Sequence, residues 1–154
     1  MKRFVWRLQR VLDIKIKEEE VKRAELIKLT ERLAEARGEL LMQKRILENI
    51  ISEIAGKKTA ERLREQEFFL KHSKVTGERI KKLEKKVGEL ELAQRKKIAE
   101  VLKVRRFRKG LEKLREEAKK IFIEEQEKLE QKELDEGSTI SFTRKMQNAA
   151  VGGG

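Results

Sequence analysis

The 154-residue sequence contains no cysteine, no proline and no tyrosine, and its aromatic side chains are six Phe and one Trp. Without cysteine there are no disulfides and no thiolate metal sites, which agrees with a reducing cytoplasm. Without proline the chain lacks the residue that most strongly interrupts a helix. Histidine occurs once, as His72, and Asp only as Asp13 and Asp135, so nearly all acidic residues are Glu. Hydrophobic residues make up 38% of the chain, below the roughly 45–50% of ordinary globular domains, which disfavours a compact enzyme core. No stretch approaches the roughly 18–20 apolar residues that would cross a bilayer, so membrane insertion is not expected. The basic start, Met1 to Arg7, leads into no apolar run of signal-peptide length.

What the sequence has in abundance is charge: 44% of its residues, with 40 Lys and Arg against 28 Asp and Glu, a net +12. With Leu and Ala alongside, this composition belongs to long helices, and the length allows one domain. Leu26, Leu29, Leu33, Ala36, Leu40, Gln43, Leu47, Ile50 and Ile54 alternate steps of three and four, a heptad seam. A second seam runs from Ile80, Leu83, Val87 and Leu90 through Gln94 and Lys97 to Val101 and Val104, and onward through Leu111, Ala118 and Phe122. No segment alternates with period two. The expected fold is therefore all-α, a long two-helix antiparallel coiled-coil hairpin. Helix 1 is placed at about 3–55, a turn at about 55–59, helix 2 at about 60–136, and a flexible tail at 137–154.

The turn rests on Gly56 as a C-terminal cap, Lys57 and Lys58 at the negative end of the helix dipole, and Thr59 as the next N-cap. Ser73 to Gly77 is a second candidate break. A turn at Gly56 sets Leu33 near Ile80, Leu12 near Leu102 and Phe4 near Leu111, and leaves Leu114, Ile121, Phe122, Ile123 and Leu129 on an overhang without an intramolecular partner.

Catalytic chemistry has little material. A seryl or thiol triad needs a base held by a third group, and His72 is the only histidine. Carboxylate pairs such as Glu18–Glu19 lie on a solvated face with no cleft to shift them. Phosphate-loop, dinucleotide-binding and zinc-protease motifs are absent. No catalytic residue, metal ligand or cofactor is assigned, and the chain is read as a non-enzyme. The densest basic patch is Lys103, Arg105, Arg106, Arg108 and Lys109. It reads first as the solvated face of a basic coiled coil with no specific ligand; as a contact it suits an acidic protein surface better than nucleic acid, because only Phe107 interleaves it and no nucleic-acid module is present. Phe68 and Phe69, adjacent and about 100° apart on a helix, leave one ring for the seam and one exposed as a partner anchor; the alternative is that both close the hairpin end.

The termini carry a resemblance. Phe4-Val5-Trp6-Arg7-Leu8-Gln9-Arg10-Val11-Leu12-Asp13 resembles the opening of the flagellar export family FliJ, in which spaced aromatics precede Leu-Gln-x-Val-Leu-Asp. Lys132-Glu133-Leu134-Asp135-Glu136, with Phe142 and Arg144 beyond, resembles the family's closing segment.

The resemblance implies a hairpin similar to the central stalk (γ) subunit of rotary ATPases. It implies a non-enzymatic component of the bacterial flagellar type III export apparatus on the cytoplasmic face of the cell membrane, at the flagellar base. The implied partners are the hexameric export ATPase, whose assembly and activity the stalk promotes, the cytoplasmic domain of the export gate, and export chaperones. Carried to this chain, it implies ring contact through Phe4, Trp6, Leu8, Ile121, Phe122, Leu129, Leu134 and Asp135, and gate contact through Leu41, Phe68 and Phe69. Some relatives carry a Tyr near the end of the first helix, where Lys44 and Glu48 stand here. The alternatives are a stalk protein of a virulence-type secretion ATPase, and a basic coiled coil that binds nucleic acid or anionic membrane.

Overall fold

A computed structural model describes residues 2–56 and 59–152. Two helices account for nearly all of them: α1, Gln9–Ala55, and α2, Thr59–Gly152. No strand occurs among the described residues. The chain divides into two units, one holding residues up to Lys15 together with Arg106 onward, the other Ile16–Arg105. In each unit α1 and α2 pack antiparallel, the all-α helical hairpin that the heptad pattern predicts.

In the Ile16–Arg105 unit every α1 seam residue from Leu26 to Ile54 is buried or half-buried, with Leu33, Ala36 and Ile54 at its core. The facing α2 positions Phe69, Ser73, Thr76, Ile80, Leu83, Val87, Leu90, Gln94, Lys97, Val101 and Val104 alternate steps of four and three and are likewise covered. Polar pairs bracket this seam. Glu25 accepts a hydrogen bond from Lys97 at 2.7 Å, Arg37 donates to Glu91 at 2.9 Å, and Lys44 lies 3.4 Å from Glu84. Gln94 donates to the Thr30 hydroxyl at 3.2 Å, and that hydroxyl donates to the Leu26 carbonyl at 2.9 Å.

In the other unit Leu12 and Leu111 are buried. Gln9 accepts from Arg115 at 2.8 Å, and the rings of Phe4 and Phe122 lie 5.4 Å apart. This corrects the expected register, which set Phe4 beside Leu111. In both units α1 meets α2 roughly three helical turns later than a simple turn at Gly56 implies. Phe122 therefore does have an intramolecular partner.

The boundaries also differ from expectation. α1 begins at Gln9, with the Gln9 amide donating to the Trp6 carbonyl at 3.1 Å, not near residue 3. Residues 2–6 leave the helical path, which places the Phe4 ring on α2 beside Phe122 and 5.7 Å from the Arg115 guanidinium carbon. At the far end of α1 the Gly56 amide is shared between the carbonyls of Ser52 and Glu53, at 3.3 and 3.2 Å. No described glycine adopts positive φ, so α1 closes on a bifurcated bond rather than a left-handed cap. Lys57 and Lys58 lie outside the described residues, as does the side chain of Thr59.

Ser73 to Gly77 does not break α2; the Ser73 hydroxyl folds back onto the Leu70 carbonyl at 3.2 Å. Nor does α2 stop at 136, where the sequence reading began a tail. It continues through Gly137 to Gly152, because one interior glycine costs only about 1 kcal/mol against flanking helix formers such as Met146, Gln147, Ala149 and Ala150. Thr139 and Thr143 tie their hydroxyls to the carbonyls four residues back, both at 2.9 Å.

Candidate interaction surfaces

The residues expected at the ring all fall in the first unit, and the structure sorts them. Phe4, Trp6, Leu8 and Phe122 are half-buried, with Phe4 and Phe122 in tilted ring contact. Ile121, Leu129, Leu134 and Asp135 are exposed. From Glu127 to Gly152 every described residue is exposed, although Leu129, Leu134, Ile140, Phe142, Met146 and Val151 are large and apolar. Leu134 and Phe142 flank a shallow groove floored by Gly137, Ser138 and Ser141 and edged by Glu130, Glu133 and Lys145. Ile140, Met146 and Val151, and Phe142 apart from its place in the closing motif, lie beyond a helix expected to end at 136. The signal was present in the lack of any proline and in the helix-forming residues of 145–150.

The residues expected at the gate do not converge. Phe68 and Phe69 line one small recess with Leu47, Ile50, His72, Ser73 and Thr76, and Leu41 is not part of it. Phe69 is the ring that turns toward the seam; Phe68 is 62% exposed, its ring 4.3 Å from that of His72 and tilted 46° to it. That contact occupies the single histidine in a surface aromatic pair.

The basic patch is partly consumed within the fold. Arg105 donates through Nε to Glu19 at 3.1 Å, and Arg108 donates to Glu112 at 2.8 Å. Lys103, Arg106 and Lys109 remain exposed. Phe107 carries the Lys15 ammonium 5.0 Å from its ring centroid, a cation–π contact. Glu19, expected with Glu18 on a solvated face, is instead only 5% exposed at a seam position, which corrects that expectation. Its sign was the one acidic residue falling in phase with Leu12 and Leu26.

A four-residue charge cluster sits on the surface of the larger unit. Lys22 and Lys97 both donate to Glu100, at 3.2 and 3.1 Å, and Lys97 also donates to Glu25. The Lys97 hydrogen bond, followed by its charge, holds the Glu25 carboxyl below its ordinary range. Hydrogen bonds from Lys97 and then Lys22 do the same for Glu100, and those to Glu25 and Glu100 push the Lys97 ammonium up.

No cluster of three or more potential metal ligands and no helix long and apolar enough to cross a membrane occurs among the described residues. The fold and its surfaces define a helical hairpin whose contact features are exposed side chains along two helices. A family model described as flagellar FliJ protein matches residues 3–147, nearly the whole chain. The chain belongs to the FliJ family and is thus a flagellar export-related protein. Comparison with curated proteins finds no match, and neither does comparison with solved structures.

Proposed function

We propose that this chain is a non-enzymatic stalk of the hexameric flagellar export ATPase, promoting its assembly and activity and linking it to the export gate and export chaperones. It would act on the cytoplasmic face of the membrane at the flagellar base. The observation that carries the reading is the stretch Glu127–Gly152, a helix whose large apolar side chains have no cover from the chain itself. Exposed apolar surface of this extent on a helix marks an interaction site. A six-fold ring holding one asymmetric stalk cannot offer six identical contacts, and long charged side chains beside the apolar ones adapt to unlike neighbours. Leu129, Leu134 and Phe142 are the anchors in this reading, with Ile121 nearer the hairpin. The recess at Phe68 and Phe69 remains the candidate gate contact.

The test is stimulation of the purified export ATPase by the full chain. Leu129→Asp combined with Phe142→Asp is expected to abolish stimulation while far-ultraviolet circular dichroism still shows a helical protein. Phe122→Asp is a poor choice for this purpose, since it also breaks the contact with Phe4. Undiminished stimulation by the double variant would sink the proposal. The basic-coiled-coil alternative makes the opposite forecast: binding that falls steeply with salt and ignores both substitutions.

A further inference from the structure

Within the Ile16–Arg105 unit α1 carries a second stripe on the side facing solvent. Lys17, Glu20, Ala24, Ile27, Glu31, Ala34, Gly38, Leu41, Arg45 and Glu48 follow one another in alternating steps of three and four, and all are exposed. Ile27 is 59% and Leu41 53% exposed, and neither is covered by α2. A Cβ added at Gly38 would meet nothing within 4 Å, so the hairpin itself does not require a glycine there. Gly88 and Gly110 are equally open. Exposed Leu92 stands beside Gly88 among Lys81, Lys85 and Arg95, and exposed Phe107 and Leu114 stand beside Gly110 among Lys103, Arg106 and Lys113. Openness therefore does not single out Gly38; the pattern of side chains around it does.

The stripe is complementary to itself when two copies run antiparallel. Placing Glu31 opposite Ala34 sets Ile27 over Gly38 and Leu41 over Ala24, a large side chain meeting a small one each time. The same register sets Glu20 opposite Arg45 and Lys17 opposite Glu48, an acid facing a base at both ends. Among the described residues these four charges make no ion pair within the chain, whereas Lys22, Glu25, Arg37 and Lys44, which flank the inner seam, do. We infer that the outer face of α1 between Lys17 and Glu48 binds a second copy of this chain in a two-fold antiparallel contact. The stretch spans more than four heptads, roughly 45 Å of helix, enough for a coiled-coil seam. The two Glu31 carboxylates approach each other near the axis, which keeps the association weak and reversible. The inference does not depend on the export-ATPase reading, and its test needs no ATPase.

The absence of cysteine makes the test direct. Sedimentation of the full chain over a range of concentrations is expected to show a monomer–dimer equilibrium. Glu20→Lys should weaken it about tenfold by setting like charges opposite each other, and adding Arg45→Glu to that variant should restore it. Under mild oxidation Ala34→Cys, next to the axis, should form a disulfide dimer. Leu41→Cys should not, since its copies would lie about 25 Å apart along the helices. A mixture of Ala24→Cys and Leu41→Cys chains should cross-link to each other. The inference is overturned by a chain that stays monomeric throughout, or by Ala34→Cys dimerising no better than Arg95→Cys on α2. Equal cross-linking at Ala24, Ala34 and Leu41 would mean parallel pairing and would overturn it too, as would a dimer indifferent to the charge reversal.

Discussion

Glu19 occupies a position where the heptad pattern calls for an apolar side chain, and Arg105 reaches it from the facing helix. Burying a carboxylate is unfavourable unless hydrogen bonds and charges compensate, and replacing both partners by apolar residues is often neutral or stabilising. Arg105→Met alone is therefore expected to lower stability by about 1–2 kcal/mol, the range being reduced because Arg105 is partly exposed. Glu19→Leu combined with Arg105→Met should recover most of that loss; thermal unfolding followed by circular dichroism measures both.

The Lys22–Glu25–Lys97–Glu100 cluster works through pH. Glu25 and Glu100 are held below the ordinary value of 4.5, so their contribution is present above that value and fades as pH falls through their lowered pKa. Lys97 is held above 10.5, so its contribution is present below that value and fades as pH rises through the raised one. Between these limits the melting temperature should be nearly insensitive to the cluster's titration. Lys97→Met should remove much of the acid-side difference attributable to Glu25 and Glu100, while a titration identical in the variant would dismiss the cluster as a contributor. Screening keeps the effect small, since Glu25 and Glu100 are exposed and Lys22 and Lys97 only half-buried.

At the scale of the elements, the seam from Leu26 to Ile54 was legible because a period of three and four is the same signal that burial produces. Register was not. A heptad seam slid by a whole repeat still matches apolar to apolar, so matching Leu33 with Ile80 or Phe4 with Leu111 chose among near-equals. The discriminating residues are the polar ones in and beside the seam, Glu19 with Arg105 and Thr30 with Gln94, which satisfy each other in one register only. The candidate ring surface was legible in Ile121, Leu129 and Leu134 but cut short at Asp135, because Gly137 weighed more in the reading than in the helix. An isolated helix gains nothing from packing and is marginal in water. Amides of Gly137–Gly152 should consequently exchange hydrogen with solvent fastest among the helical residues, and the proposed ATPase contact predicts that they slow by about an order of magnitude or more when export ATPase is added. Equal protection of this stretch and of Leu33 in the free chain would contradict the exposure seen here.

For the molecule as a whole, part of the excess positive charge is paired within the fold, with Arg105 and Arg108 directed to Glu19 and Glu112. Within each unit, cohesion comes from rows of side chains paired between the two helices. Those rows also fix an order of assembly. In the larger unit the pairs Arg37–Glu91, Lys97–Glu25 and Arg105–Glu19 join residues 54, 72 and 86 apart in sequence. Loop-closure entropy grows only logarithmically, so extending from the first of these to the last adds about 0.4 kcal/mol. The initial closure is the expensive event, and each later row forms against one already in place. Folding should nucleate near Leu47 and Ile50 and close progressively toward Val101 and Val104. In stopped-flow measurements Leu47→Ala should chiefly slow folding, and Val104→Ala should chiefly accelerate unfolding. The same polar and apolar rungs that set which residues face each other thus also set the sequence in time by which the chain zips and comes undone.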